Sequence, residues 1–201
     1  MKASIPVLII FVKNPELGKV KTRLAQGVGD EMALRIYRAL LSHTKKVSLE
    51  VAAERLLFYS EKITVNDNWS TNDFHKYVQS DGDLGDRMST AFEQAFNHGH
   101  PVLIIGSDCA QMDVSIIEKG IEQLAKHDFV IGPAEDGGYY LLGMRTFKPD
   151  VFKNIAWSTE RVLSSTLDIM RVNNWSCFLL PQLSDIDYAE DWEKHGWEIK
   201  L

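Results

Sequence analysis

Val102-Leu103-Ile104-Ile105-Gly106-Ser107-Asp108-Cys109 begins with four consecutive apolar residues and ends in a glycine, a hydroxyl and an acid. A short apolar run without alternation is the mark of a strand covered on both faces, as in a parallel sheet. A few residues later Asp113 precedes Ile116, Ile117, Ile121, Leu124 and Ala125 at helical spacing, so Asp113 is expected to cap a helix. Strand, polar turn and capped helix together predict a βαβ unit.

The same alternation extends both ways from this stretch. Val7–Val12 reads as a first strand, and Ala33, Ile36, Tyr37, Leu40, Leu41 and Val47 as a helix with Asp30 placed to cap it. Leu56–Tyr59 is a second strand, followed by a looser polar stretch from Asn66 to Asp73. Leu84, Met88, Ala91, Phe92, Ala95 and Phe96 form another helical stripe. Beyond the central unit, Phe129–Ile131, Tyr139–Met144 and Cys177–Leu180 read as strands. Val162, Leu163, Thr166, Leu167 and Met170 mark a late helix, with Ser158 as its expected cap. The expected fold is α/β and Rossmann-like, a mostly parallel sheet with helices on both faces. Ligands of such sheets bind outside the carboxyl ends of the strands, here after Val12, Ile105 and Ile131.

The chain has 201 residues, 45% hydrophobic and 25% charged, which suits one domain over residues 1–201. No apolar run approaches the roughly 18 residues that span a bilayer, and a cytoplasmic location is expected. A net charge of −6 argues against nucleic-acid binding. The two cysteines, Cys109 and Cys177, are too few for a metal cluster and read as buried small residues. The histidines show no metal-ligand spacing, and no Ser-His-Asp arrangement emerges.

Four segments could carry chemistry. Lys13 to Arg23 holds the cations Lys13, Lys19, Lys21 and Arg23 against one acid, Glu16, directly after the first strand. Compact and two-pronged cations there suit a small phosphorylated ligand, although Gly18-Lys19-Val20 is not a P-loop. Asp108 at a strand's carboxyl end can hold a hard cation, or it merely caps a turn. Glu135-Asp136-Gly137-Gly138 combines acids, able to accept sugar hydroxyls or act as a base, with glycines that let a ligand approach the backbone. In Asp185-Ile186-Asp187, Asp187 forms a helix-capping pair with Glu190, and one of the two aspartates could instead complete a metal site. Trp157 either belongs to the core or walls a pocket.

Taken in order, Phe11-Val12-Lys13-Asn14-Pro15, Gly18-Lys19-Val20-Lys21-Thr22-Arg23-Leu24, Gln79 with Gly82 to Met88, Gly106 to Cys109, Gly132 to Leu141, Trp157-Ser158-Thr159 and Asp185 to Asp191 resemble the bacterial GT-A-type glycosyltransferase family DUF2064, one branch of which is linked to arsenosugar biosynthesis. The resemblance implies a single nucleotide-diphospho-sugar transferase domain. It also implies that Lys13, Lys21 and Arg23 meet the nucleotide's phosphates and that Gln79, Gly82 and Gly85 border its base. By the same resemblance Asp108 and Asp187 hold Mg²⁺ or Mn²⁺, and Asp136, Gly137 and Gly138 face the sugar or acceptor; in glycosyl transfer Glu135 or Asp136 would then orient or deprotonate the acceptor. Two departures stand out. Ala110 replaces the proline that usually follows the Asp-Cys pair, and with alanine at position 110 Asp108 does not open the Asp-x-Asp that glycosyltransferases of this fold often present.

The expected activity is metal-assisted transfer of a glycosyl group from a nucleotide-diphospho-sugar to a small acceptor. Nucleotidyl transfer from a nucleoside triphosphate is the alternative, since one cationic loop serves both. A non-catalytic nucleotide-binding module is the third reading.

Overall fold

The computed structural model describes residues 5–199. Strands β1 (Val7–Val12), β2 (Glu54–Tyr59), β3 (His75–Val78), β4 (Val102–Ile105), β5 (Phe129–Pro133), β6 (Tyr139–Met144) and β7 (Cys177–Leu179) join in one sheet, ordered β3-β2-β1-β4-β6-β5-β7. β6 runs antiparallel to its neighbours β4 and β5, and every other neighbouring pair is parallel. The carboxyl ends of β1, β4 and β5 therefore share one edge, the three places where a ligand was expected.

Helices α1 (Thr22–Val28), α2 (Asp30–Glu50), α3 (Leu84–Ala95), α4 (Val114–Gln123), α5 (Val162–Val172) and α6 (Ala189–His195) surround the sheet. Because side chains alternate along a strand, each apolar run feeds two cores. Leu8, Ile10 and Val12 pack with Tyr37 and Leu41 of α2 and Ile117 of α4. Val7 and Ile9 pack on the other face with Met88 and Phe92 of α3 and Met170 of α5. The expected α/β fold with helices on both faces is the observed one. Among the described residues no helix is long and apolar enough to cross a membrane.

Several local readings differ. β3 lies where no strand was expected, because an edge strand with exposed His75 and Val78 carries no apolar run. Asp113 caps α4 as expected, accepting from the Ile116 N–H at 3.0 Å. Asp30 does not cap α2; Gly29 holds that position, and Asp30 sits in the first turn, where a negative charge suits the helix dipole. Nor does Ser158 cap α5, which begins after Arg161, while Ser158 adopts a left-handed backbone with φ 61°. Asp187 does not cap α6 either. The Asp191 carboxylate accepts from the Asp187 and Tyr188 N–H groups at 3.0 and 2.8 Å. Cys109 is buried, but Cys177 on the edge strand is only partly so.

Candidate functional site

The end of β1 is anchored by one phenol. Tyr37 of α2 accepts from the Lys13 N–H at 2.7 Å, donates to the Lys13 carbonyl at 3.1 Å, and lies 3.3 Å from the Ser107 hydroxyl after β4. Burial pushes its pKa well up, so it stays a neutral hydrogen-bonding post. Asn14 fixes the next residue of the loop. Its Oδ1 accepts from the Glu61 and Lys62 N–H groups and its Nδ2 donates to the Lys62 carbonyl. The backbone after β1 is thus pinned to protein rather than free to wrap a phosphate.

Beyond this loop one cation, Lys21, turns inward. Lys21 has a left-handed backbone (φ 51°), rare for a residue with a side chain, and its side chain is only 5% exposed. Its ammonium lies 2.9 Å from Asp108 Oδ1 and 3.5 Å from Asp187 Oδ1. Arg23, largely exposed, reaches the other Asp187 oxygen at 3.2 Å. Burial alone would lower the Lys21 pKa, but the carboxylates of Asp108, Asp187 and Asp185 outweigh it and hold the ammonium above the ordinary lysine value.

Asp187 and Asp185 come to Asp108 on the segment after β7. That segment runs along the end of β5, with the Leu183 N–H donating to the Pro133 carbonyl at 3.1 Å. It then meets the turn after β4, with the Ile186 N–H donating to the Asp108 carbonyl at 2.9 Å. Asp185 is set among carboxylates. Burial first, then the charges of Asp108, Asp136 and Asp187, push its pKa up to about 7 against the pull of Lys21.

After β5, the Asp136 carboxylate accepts from the Gly138 N–H at 2.8 Å, which fixes its turn. Gly137 has φ 85°, and a Cβ there would fall on the Glu160 carbonyl, 2.7 Å from its carbon. Gly85 likewise leaves room for the Trp157 indole, whose Cε2 a Cβ would approach at 2.6 Å. These two glycines seat the 157–161 segment as a roof, and the Leu163 N–H donates to the Gly137 carbonyl at 2.9 Å. Gly82, with φ 104°, makes the turn into the cap of α3, where Asp83 accepts from the Asp86 N–H at 2.9 Å.

Two cavities meet here. One of about 370 Å³ is bounded by Phe11, Ser60, Gln79, Arg87, Met88 and Ser107. The other, of about 620 Å³, is bounded by Lys21, Arg23, Asp136, Trp157, Ser158 and Asp187. Lys13, Asp108 and Asp185 line both. The structure therefore brings together Lys13, Lys21, Arg23, Gln79, Asp108, Asp136, Gly138 and Asp187. It leaves Glu135 outside: exposed, its N–H tied to the Leu183 carbonyl at 3.0 Å, it lines neither cavity. Gly82, Gly85 and Gly137 shape the walls without lining them.

Tyr37 and Arg87 are site residues that sequence reasoning had given no role there, and Asp185, weighed with Asp187 as a possible metal ligand, lines both cavities. Arg87 donates to Gln79 Oε1 and to the Asp83 carbonyl, both at 3.2 Å, while Gln79 Nε2 donates to the Phe58 carbonyl at 3.3 Å. Spacing on α3 could have pointed to Arg87, which lies four residues after Asp83. Nothing local marks Tyr37, which sits in a helical apolar stripe. Burial lifts the pKa of both thiols to about 12, so neither cysteine is a ready nucleophile.

Comparison with known proteins bears on the family and the fold. The family model described as "Uncharacterized protein conserved in bacteria (DUF2064)" matches residues 40–159. A provisionally named nucleotide-diphospho-sugar transferase from Desulfovibrio desulfuricans G20 is similar, with 34% identity over 91% of this chain and 82% of that one, and a TM-score of 0.85. More distant folds include a CMP:2-keto-3-deoxy-manno-octonic acid synthetase complexed with CTP, with 12% identity, 95% of this chain and 96% of that one covered, and a TM-score of 0.59. Rv0371C from Mycobacterium tuberculosis H37Rv, in complex with manganese, is 12% identical over 94% of this chain and 97% of that one, with a TM-score of 0.55. No curated protein matches the chain. Two of these relatives are named for transfer or synthesis from nucleotides, and the architecture is that of the nucleotide-diphospho-sugar transferases. With that fold and a family match across most of its length, the chain belongs to the DUF2064 family, the uncharacterized proteins conserved in bacteria.

Proposed function

We propose that the chain is a transferase that moves a glycosyl group from a nucleotide-diphospho-sugar to a small acceptor, with Mg²⁺ or Mn²⁺ at Asp108 and Asp187. The observation that carries this reading is the junction of the two cavities at Lys13 and Asp108. The smaller cavity, with Phe11 and Met88 in its walls and Gln79 and Arg87 at its rim, suits a nucleoside, bordered by the turns of Gly82 and Gly85. The larger one, with Asp136 and Ser158, has room for a sugar and its acceptor beside Gly137 and Gly138. The diphosphate would lie at the junction.

The donor set fits a metal that arrives with the nucleotide. Among the described residues no three His, Cys, Asp or Glu side chains group to hold an ion unaided. Two carboxylates that already converge on one cationic group, completed by phosphate oxygens and water, match what Mg²⁺ takes. When bound, the ion supplies charge to offset the departing diphosphate.

Lys13, Lys21 and Arg23 bind phosphate oxygens and stabilise the same developing charge. Asp136 accepts the acceptor's hydroxyl proton as that oxygen bonds the anomeric carbon and the bond from the carbon to the diphosphate oxygen breaks. Glu135, which lines neither cavity, takes no part in this step.

Nucleotidyl transfer is the second reading, favoured by the likeness to a CTP-bound fold. The pinned Lys13-Asn14 backbone weighs against it, since no glycine-rich loop follows β1 to cradle a triphosphate. Incubation with nucleotide sugars, nucleoside triphosphates and Mn²⁺ separates the two readings. Release of a nucleoside diphosphate, lost in Asp136→Asn, supports glycosyl transfer. Release of pyrophosphate from a triphosphate, with no turnover of any nucleotide sugar, overturns it.

A further inference from the structure

Lys21 stands where a cation is needed. Two carboxylates from distant parts of the chain, Asp108 after β4 and Asp187 before α6, aim oxygens at a single ammonium at 2.9 and 3.5 Å. Lys21 is the residue that neutralises this pair from within: its side chain is 5% exposed, against 62% for Lys19 nearby. Its backbone lies in the left-handed region, at φ 51° and ψ 44°, a conformation rare for a residue with a Cβ and one that persists when surrounding contacts enforce it. Asp185 lies close enough to act on Lys21 without forming an ion pair to it. Lys21 faces Oδ1 of each carboxylate, and one ammonium and one divalent ion cannot occupy those same two oxygens at bonding distance.

We infer that Lys21 is a built-in competitor for the metal: it holds Asp108 and Asp187 until a diphosphate draws its ammonium away, so that metal and nucleotide bind as a coupled pair. This rests on the metal site proposed above and adds an order of events. Without nucleotide, a divalent ion must displace a buried ion pair and binds weakly. With nucleotide, Lys21 exchanges two carboxylates for phosphate oxygens, the backbone at residue 21 is released from its constraint, and the ion takes the vacated carboxylates. Charge is conserved in the exchange, because each anionic group keeps a cationic partner. The device would keep the enzyme from loading metal in the absence of its donor.

Three measurements test this on the whole chain. Mn²⁺ binding to metal-stripped protein is measured by calorimetry for wild type, Lys21→Met and Arg23→Met, each first shown to fold by circular dichroism. Lys21→Met should bind Mn²⁺ without nucleotide roughly tenfold more tightly than wild type, because the competitor is gone. Arg23→Met, which removes an exposed partner of the same Asp187, should change affinity far less. A general charge effect would raise affinity in both variants alike, and that result overturns the inference. The second measurement needs no variant. Acylation of wild-type lysines by an amine-reactive ester, read by mass spectrometry, should find Lys21 protected, and Mn²⁺ with pyrophosphate as probe should change its labelling at least threefold while Lys19 stays constant. Mn²⁺ binding that leaves Lys21 labelling untouched also overturns the inference, and the metal site stands. In the third, pyrophosphate should tighten Mn²⁺ binding in wild type and lose most of that effect in Lys21→Met. Absence of Mn²⁺ binding in every form, with or without pyrophosphate, overturns the metal site itself and this inference with it.

Discussion

Replacing Gly137 by alanine should separate the two demands this position makes. Its φ of 85° is a conformation in which a Cβ costs about 1–2 kcal/mol. The added carbon would also fall on the carbonyl of Glu160, 2.7 Å from its carbon. That neighbour is backbone, so no side-chain rotation relieves the clash, and overpacking of this kind costs about 1–3 kcal/mol. Together they predict a loss of about 3 kcal/mol, or roughly 6–12 °C in Tm for a domain of this size. Gly18→Ala is the control, because Gly18 has φ 72° but its nearest atom would be an Asp30 carboxylate oxygen at 3.8 Å. It should lose only the conformational part. Relief of the clash must lift the 157–161 roof by the order of 1 Å, and displacement of that size at a reacting centre can cost up to about a hundredfold in rate. Denaturant unfolding of the three proteins, with transfer kinetics at a temperature where all are folded, checks both parts. Equal stability of Gly137→Ala and Gly18→Ala would refute the clash. A destabilised Gly137→Ala with unchanged kcat/KM would refute the roof's place in the site.

Tyr37→Phe should cost about 1–3 kcal/mol by leaving the Lys13 N–H without its acceptor, and should weaken nucleotide binding, as denaturation and thermal shift with nucleotide would report. Lys76→Met should cost about 3–5 kcal/mol, since it strands the Asp67 carboxylate that also accepts from Tyr59. Adding Asp67→Asn should recover part of the loss in a double-mutant cycle. At Asp128, burial works to raise the pKa, but the Ser176 hydroxyl and N–H, with Lys148 and Arg145, lower it on balance. The folded protein therefore keeps this carboxylate charged to lower pH than the unfolded chain does. Its contribution is present above the unfolded value and is lost as pH falls through the folded one. Unfolding midpoints below about pH 4 should show wild type losing stability faster than Asp128→Asn, and parallel curves would refute the clasp.

Legibility followed the range of the interaction. Strands β1 and β4 could be read because each is buried on both faces and is therefore apolar at every position. Asp113 could be read because a cap acts within one turn. β3 could not, since its pairing with β2 is satisfied by backbone groups that any residue provides. The capping role expected of Asp187 failed because Asp191 had equal local reach, and only the assembled segment decided between them. Asp185 could not be told from Asp187 as a candidate ligand for a similar reason: what sets it apart is proximity to Asp108 and Asp136, 77 and 49 positions earlier.

By itself, the chain's sequence determined the class of fold and the edge of the sheet where chemistry-bearing residues collect. Apolar period and strand-end placement are local properties, and the doubly covered sheet follows from them. The tertiary structure alone decided which acids face which cations: that Lys21 turns inward to Asp108 and Asp187, that Glu135 lines neither cavity, and that Tyr37 ties β1 to β4. Electrostatic partnership depends on distances of a few ångströms between residues far apart in the chain, and such distances exist only after the two cores have packed.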